Sequence, residues 1–433
     1  MRRREGIAAL PEAANSANVK ASTALPALKK GERRFWLGPG FVSGASDNDP
    51  TTVATIAVVG ATTGYGLAWL AVLILPMLAA VQAIAASIGA VCRTSIQGVI
   101  RREYGLGWAA LTLIAVVAVN LMTLTADVEA GSESLALLSG VRYEYFVVPF
   151  AGFVGWLLVS KSYLKIERFL SFVPLLFLCY AASAIVARAD WAAFGRAIVV
   201  PHFDFSGAFA AGALALAGTT LTSYVYMWES IEVAERRPAL ARVRSVQNDA
   251  VAGMLAAGVS FLFILAASAA TLGKHHLPVQ TAGEVAAALE PLAGRWASAL
   301  FGIGLLASAV IAVPVLAGTT AYVVTQTFGW SGSLSLRWYG ARRFYTVVLG
   351  SLALAAGLSF AGLSPIALLY WASIAGGLAT PLTLFFAVRI ARDRTIMGEH
   401  RIGGGLAAAG WITTAVSIAL CAAFFVSLMR PGT

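Results

Sequence analysis

The sequence predicts an all-α integral membrane protein with eleven spanning helices. Of its 433 residues, 59% are hydrophobic and 12% are charged, and mean hydropathy is +0.78. No water-soluble domain buries so large an apolar fraction. A spanning helix needs roughly 20 apolar residues, because about 30 Å of hydrocarbon is crossed at about 1.5 Å per residue, and this chain offers such stretches repeatedly.

The apolar segments run from about Phe41 to Tyr65, Trp69 to Val91, Trp108 to Asp127, Tyr145 to Val159, Phe169 to Ala187 and Phe209 to Trp228. Five more follow, at about Val251 to Leu272, Trp296 to Phe328, Phe344 to Leu363, Pro365 to Arg389 and Gly403 to Met429. Basic residues gather in cytoplasmic loops. With the N-terminus inside, the inner segments hold 25 of the 31 Lys and Arg, leaving Arg142, Arg188, Arg196, Lys274, Arg295 and Arg430 outside. The reading is therefore a multi-pass protein of the cell inner membrane, N-terminus cytoplasmic and C-terminus outside. The net charge of +10 then reflects topology and contact with an anionic lipid bilayer, and gives no reason to expect nucleic acid as a partner. Oligomeric state is not legible.

Residues 1–34 are Ala-rich and polar, without an apolar core, and read as a disordered cytoplasmic tail. They lack the apolar region of a signal peptide. The rest, 35–433, reads as one transmembrane domain. Cys92, Cys179 and Cys421 are far apart and form neither a disulfide framework nor a metal cluster, so they read as small core residues. His275 and His276 fall in an outer loop, where solvent exposure is the plainer reading than metal capture.

The first span is interrupted by Asp47-Asn48-Asp49-Pro50-Thr51-Thr52. Carboxylates at membrane depth cost about 2.5 to 3.5 kcal/mol each on the mildest scale, so they need a reason. Pro50 has no amide hydrogen and pushes Asp49 toward extended geometry, which unwinds the helix there and frees carbonyls, notably around Ser46. A carboxylate, hydroxyls and loose carbonyls at one depth suit a cation. The alternative is a plain proline kink with Asp47 and Asn48 solvated.

In the sixth span, Ala217-Gly218-Thr219-Thr220-Leu221-Thr222-Ser223-Tyr224 clusters poor helix formers. Alone, these small hydroxyls read as helix packing or as bonds back to their own carbonyls. Paired with the break five spans earlier, they fit an inverted repeat whose site lies between two discontinuous helices at the midplane. The repeats would occupy about 38–190 and 205–392, with an extra helix at 403–429. Asp127 and Glu129 are expected to end the third span, and Glu229 and Glu232 the sixth, where solvation at a helix end competes with a place on an ion path.

Gly38-Pro39-Gly40, Asp49-Pro50-Thr51-Thr52 with Gly64-Tyr65-Gly66, Pro314-Val315-Leu316-Ala317-Gly318 and Arg394-Thr395-Ile396-Met397-Gly398 together resemble the Nramp divalent-metal transporters. That family carries Asp-Pro-Gly-Asn in its first helix, and the likeness is nearest to a bacterial Nramp-related branch that moves magnesium or manganese. The resemblance implies a LeuT-like 5+5 inverted repeat with discontinuous helices 1 and 6. It also implies no enzymatic activity and no cofactor, with a divalent metal ion as the substrate.

On the family's pattern Asp49 is the metal carboxylate and Thr52 stands where the Asn ligand would be. In the sixth helix Thr219 takes the place of Ala, Thr222 that of Met and Tyr224 that of His. An oxygen thus replaces a soft thioether, which favours hard cations such as Mg²⁺, Ca²⁺ and Mn²⁺. Tyr224 stays neutral near pH 7 and cannot copy a titrating imidazole, which puts proton coupling in doubt. The remaining ion-path candidates are Asp47, expected to draw the ion at the entrance, with Asp127, Glu129, Glu229, Tyr224 and Ser373.

The function expected is inward transport of Mn²⁺ or Mg²⁺, with Fe²⁺ also admitted, by alternating access. The alternative is a sodium-coupled symporter of amino acids or other organic solutes on the same fold. The acids of the first helix would repel its substrate carboxylate.

Overall fold

The computed structural model describes residues 44, 47–160, 179–204, 206–273, 285, 294, 297–362 and 364–429. The tail at 1–34, Ser46, the histidines His275 and His276 and most of the fifth predicted span lie outside the described residues.

Helix is the regular structure of the described residues, with no strand among them. In chain order the helices are Pro50–Thr63 (α1), Ala68–Cys92 (α2), Ile96–Glu103 (α3), Leu106–Ser139 (α4), Glu144–Ser160 (α5), Cys179–Val186 (α6), Trp191–Val199 (α7), Gly207–Thr220 (α8) and Ser223–Arg236 (α9). They continue with Val243–Ala270 (α10), Ala297–Phe328 (α11), Arg342–Leu358 (α12), Pro365–Arg392 (α13), Arg394–Met397 (α14) and Gly404–Leu428 (α15).

Among the described residues, seven stretches are long and apolar enough to cross a membrane: α2, α4, the α8–α9 pair, α10, α11, α13 and α15. Helices α1 and α5 are shorter apolar elements. Large apolar side chains such as Ile114, Val148, Trp156, Trp371, Ile412, Ile418 and Phe425 point outward from the bundle. Such a surface would aggregate in water and is at ease in lipid. The protein is a multi-pass membrane protein.

The helix starts follow from local chemistry. Ser206 caps α8 by accepting from the Phe209 amide at 3.3 Å. Ser364, followed by Pro365 at the first helical position, accepts from the Ala367 amide at 3.3 Å. Asp49 and Pro50 repeat the device at the start of α1. A proline at that position loses nothing, since the first-turn amides have no intrahelical partner. Outside the spans, Asp393 caps α14, and the hydroxyl and amide of Thr395 hold its carboxyl below the usual carboxylate range.

Two features depart from the sequence reading. The third span does not end at Asp127: α4 continues through Glu129 to Ser139, and both acids are buried within it. This polar stretch stays helical because it faces protein, packing against α11, and because Ser132 and Ser134 return their hydroxyls to the Val128 and Ala130 carbonyls at 2.7 Å. Likewise α9 continues past Glu229 and Glu232 to Arg236, and Glu229 is fully buried. Solvation at helix ends therefore explains neither Asp127, Glu129 nor Glu229. The short helices α3 and α7 fall in stretches that the apolar pattern left as connections. In α3, Ile96, Val99 and Ile100 face the core while Arg101 and Arg102 face out.

Helices α1, α8 and α13 pack mutually, which brings the two interrupted spans together. Glycine permits the approach. A β-carbon on Gly218 would lie 1.9 Å from the Ser373 carbonyl oxygen and 2.3 Å from the Gly377 amide nitrogen. Small residues at crossings let membrane helices close to backbone contact.

Candidate functional site

Both interrupted spans are broken where the sequence placed the breaks. Asp49 has extended backbone, φ −71° and ψ 166°, immediately before α1. Between α8 and α9 the chain leaves helical geometry at Leu221 and Thr222, the latter at φ −62° and ψ 139°. The Leu221 carbonyl, freed by the break, accepts from the Thr380 hydroxyl of α13 at 3.1 Å.

Asp49 is 2% exposed. One carboxylate oxygen accepts from the Thr52 amide at 2.6 Å, and the other from the Tyr224 hydroxyl of α9 at 2.6 Å. Its orientation is thus fixed by one bond from its own helix and one from across the second break. The positive end of α1 adds a further field that favours its charge.

Hydroxyls knit the surrounding elements together. The Thr51 hydroxyl donates to Asp127 Oδ1 at 2.6 Å, joining α1 to α4. The Thr52 and Thr219 hydroxyls are bonded at 2.9 Å, joining α1 to α8. Thr55 and Ser373 are bonded at 2.8 Å, joining α1 to α13. Asp49, Thr51, Thr123, Gly218, Thr219, Thr222, Tyr224, Ala372 and Ser373 line a small cavity.

Of the residues singled out from sequence, Asp49, Thr219, Thr222, Tyr224 and Ser373 meet in this cavity, and Thr52 joins it through Thr219. Asp127 stands behind Thr51 with its second oxygen, Oδ2, unpartnered. Asp47 is fully buried, and neither of its carboxylate oxygens has a hydrogen-bond partner. Asp47 and Asp127 lie within electrostatic reach of Asp49, and all three lie within electrostatic reach of Tyr224. Glu129 and Glu229 are buried but do not line the cavity.

Sequence reasoning missed Thr51, Thr55 and Thr123. The signal was periodicity: Thr51 and Thr55 sit four apart on one face of α1, and Thr123 lies one turn before Asp127 on α4.

The electrostatic character of the site is one-sided. Asp47, Asp49, Asp127, Glu129 and Glu229 are buried, whereas no Lys, Arg or His is buried among the described residues. A buried carboxylate without a cationic partner costs several kcal/mol, on the order of the penalty for any unpaired ion in low dielectric. The cavity is therefore built to receive positive charge, with carboxylate, hydroxyl and carbonyl oxygens as its donors. Among the described residues that line it there is no thiol, thioether or imidazole. Oxygen-only donors match hard divalent cations.

Known proteins resemble this chain along most of its length. Residues 40–427 match the profile of the family described as natural resistance-associated macrophage protein-like, Nramp. The chain is 26% identical over 427 residues to the divalent metal cation transporter MntH of Deinococcus radiodurans, covering 95% of this chain and 94% of that one. To the protein of the same name from Bradyrhizobium diazoefficiens it is 26% identical over 431 residues, covering 95% and 94%. Among solved structures, a variant of the Eremococcus coleocola manganese transporter superposes with a TM-score of 0.69 at 18% identity, over 89% of this chain and 85% of that one. MhsT in complex with L-phenylalanine gives 0.54 at 16% identity, over 90% and 99%. The fold is thus LeuT-like, and with a profile match that spans nearly the whole chain, the protein belongs to the Nramp family of transporters.

Proposed function

We propose that this protein carries hard divalent cations, Mg²⁺ or Mn²⁺, across the inner membrane into the cytoplasm by alternating access, and that it is not an enzyme. The observation that carries this is Asp49, buried at the open end of α1 in an oxygen-lined cavity between two broken helices, with no cationic side chain buried beside it. Asp49 supplies the charge, the Thr219 and Thr222 groups supply hydroxyl or carbonyl oxygens, and Thr52 holds the two breaks together through Thr219. Tyr224 positions the Asp49 carboxylate. Water retained by the ion completes its shell, since Mg²⁺ dehydrates reluctantly. A substrate carrying its own carboxylate would meet Asp47, Asp49 and Asp127, so the organic-solute reading gains no support here.

The oxygen at Thr222 is what sets this site apart from a thioether-bearing one. Thr222→Met is expected to shift preference toward soft ions. In competition uptake assays, Cd²⁺ should gain at least about tenfold over Mg²⁺, since thioether donors favour the softer metal. An unchanged Cd²⁺ to Mg²⁺ ratio would remove Thr222 from the selectivity argument.

The orientation follows from the basic loops. Reporter fusions that distinguish cytoplasm from periplasm should place a C-terminal tag outside and a tag inserted between α14 and α15 inside. The reverse pattern would invert the direction of transport proposed here.

A further inference from the structure

Among the buried acids that the mechanism above leaves unused, Asp47 stands out. Asp47 is fully enclosed, and both of its carboxylate oxygens lack a hydrogen-bond partner. Its neighbours in the site are tied down by protein: Asp49 by Thr52 and Tyr224, and one oxygen of Asp127 by Thr51. A carboxylate left bare in low dielectric is among the costliest features a fold can carry. It lies two residues from Asp49, within electrostatic reach of it and of Tyr224.

The basic loops argue for a cytoplasmic N-terminus; on that orientation the first span runs outward, Asp47 lies on the cytoplasmic side of Asp49, and it would serve the exit and not the entrance expected from sequence. No buried Lys, Arg or His competes for either carboxylate among the described residues.

We infer that Asp47 is a second cation station, which takes the divalent ion from Asp49 and carries it toward the cytoplasm. Its bare oxygens receive the ion as it leaves the cavity. The break between residues 47 and 49 lets the two carboxylates act on one ion in turn without a rigid helix holding them apart. The inference rests on Asp49 as the first station. It predicts that Asp47 governs release and turnover, while Asp49 governs binding.

The test compares Asp47→Asn, Asp47→Glu and Asp49→Asn in the full chain. Mn²⁺ binding is measured by titration calorimetry on purified protein, and Mn²⁺ uptake is measured in proteoliposomes. Asp47→Asn is expected to bind Mn²⁺ within about threefold of the parent while its maximal uptake rate falls at least about tenfold, the split of a step after binding. Asp47→Glu should recover most of the rate. Retained binding shows that the variant is folded, and Asp47→Ser replaces it if the amide yields no folded protein.

Uptake by Asp47→Asn within about twofold of the parent would overturn the inference. So would loss of binding in folded Asp47→Asn, because Asp47 would then belong to the first site. Normal binding and uptake by Asp49→Asn would instead overturn the reading of the first station, whatever Asp47 does.

Discussion

Asp49→Asn is expected to abolish cation uptake while leaving the protein folded. The amide keeps the shape and can still accept from the Thr52 amide, which now donates to the carboxylate at 2.6 Å. What it loses is the charge. A loss of at least about 100-fold in cation affinity, roughly 2.7 kcal/mol, is expected for removing the central charged ligand. Thermal stability should hold or rise, because a buried charge has been neutralised. Titration of Mn²⁺ into the purified variant and a melting curve in detergent check the two halves separately. Loss of binding together with a collapsed melting temperature would show that Asp49 is structural.

Gly218→Ala should be the most damaging single methyl in the described structure. Its β-carbon would sit 1.9 Å from the Ser373 carbonyl oxygen and 2.3 Å from the Gly377 amide nitrogen. Both obstacles are backbone, so no rotamer relieves them, and α8 must part from α13. The cost is about 3 kcal/mol or more, at the upper end for overpacked sites. Separating these helices also pulls Thr219 and Ser373 out of the cavity, so surviving protein should bind cation poorly. Gly152→Ala is the matching control: it lies on the outer face of α5, with nothing within 4 Å of the added carbon. Helix propensity makes that change neutral or slightly stabilising, by up to about 1 kcal/mol. Comparable melting temperatures for the two variants would refute the close crossing.

Much of this was legible in the chain because a membrane imposes strong rules. Backbone groups in lipid must be satisfied within a helix, so apolar length translates directly into helices such as Ala68–Cys92 and Gly404–Leu428. Pro50 announced its break through the missing amide, and the Gly218-to-Ser223 run announced the other. Asp49, Thr219, Thr222, Tyr224 and Ser373 could be assembled before any coordinates, by resemblance and by the chemistry of cation ligands.

What was not legible depended on burial by other helices. Nothing local tells that the polar stretch from Asp127 to Ser134 is enclosed by α11 and stays helical, because in water the same residues would end a span. The hydroxyl pairs Thr51 with Asp127 and Thr55 with Ser373 join residues far apart in sequence, and single-chain periodicity identifies a face without identifying its partner. The bare state of Asp47 is a three-dimensional fact of the same kind.

The central claim is that the oxygen-lined cavity at Asp49 conducts a hard divalent cation. Its most direct test is uptake into proteoliposomes loaded with a Mg²⁺-sensitive dye, with Mn²⁺ and Ca²⁺ as competitors and Asp49→Asn alongside. Saturable Mg²⁺ uptake that Mn²⁺ inhibits and Asp49→Asn eliminates is the predicted result. Absence of any divalent flux, or flux that persists undiminished in Asp49→Asn, would contradict it.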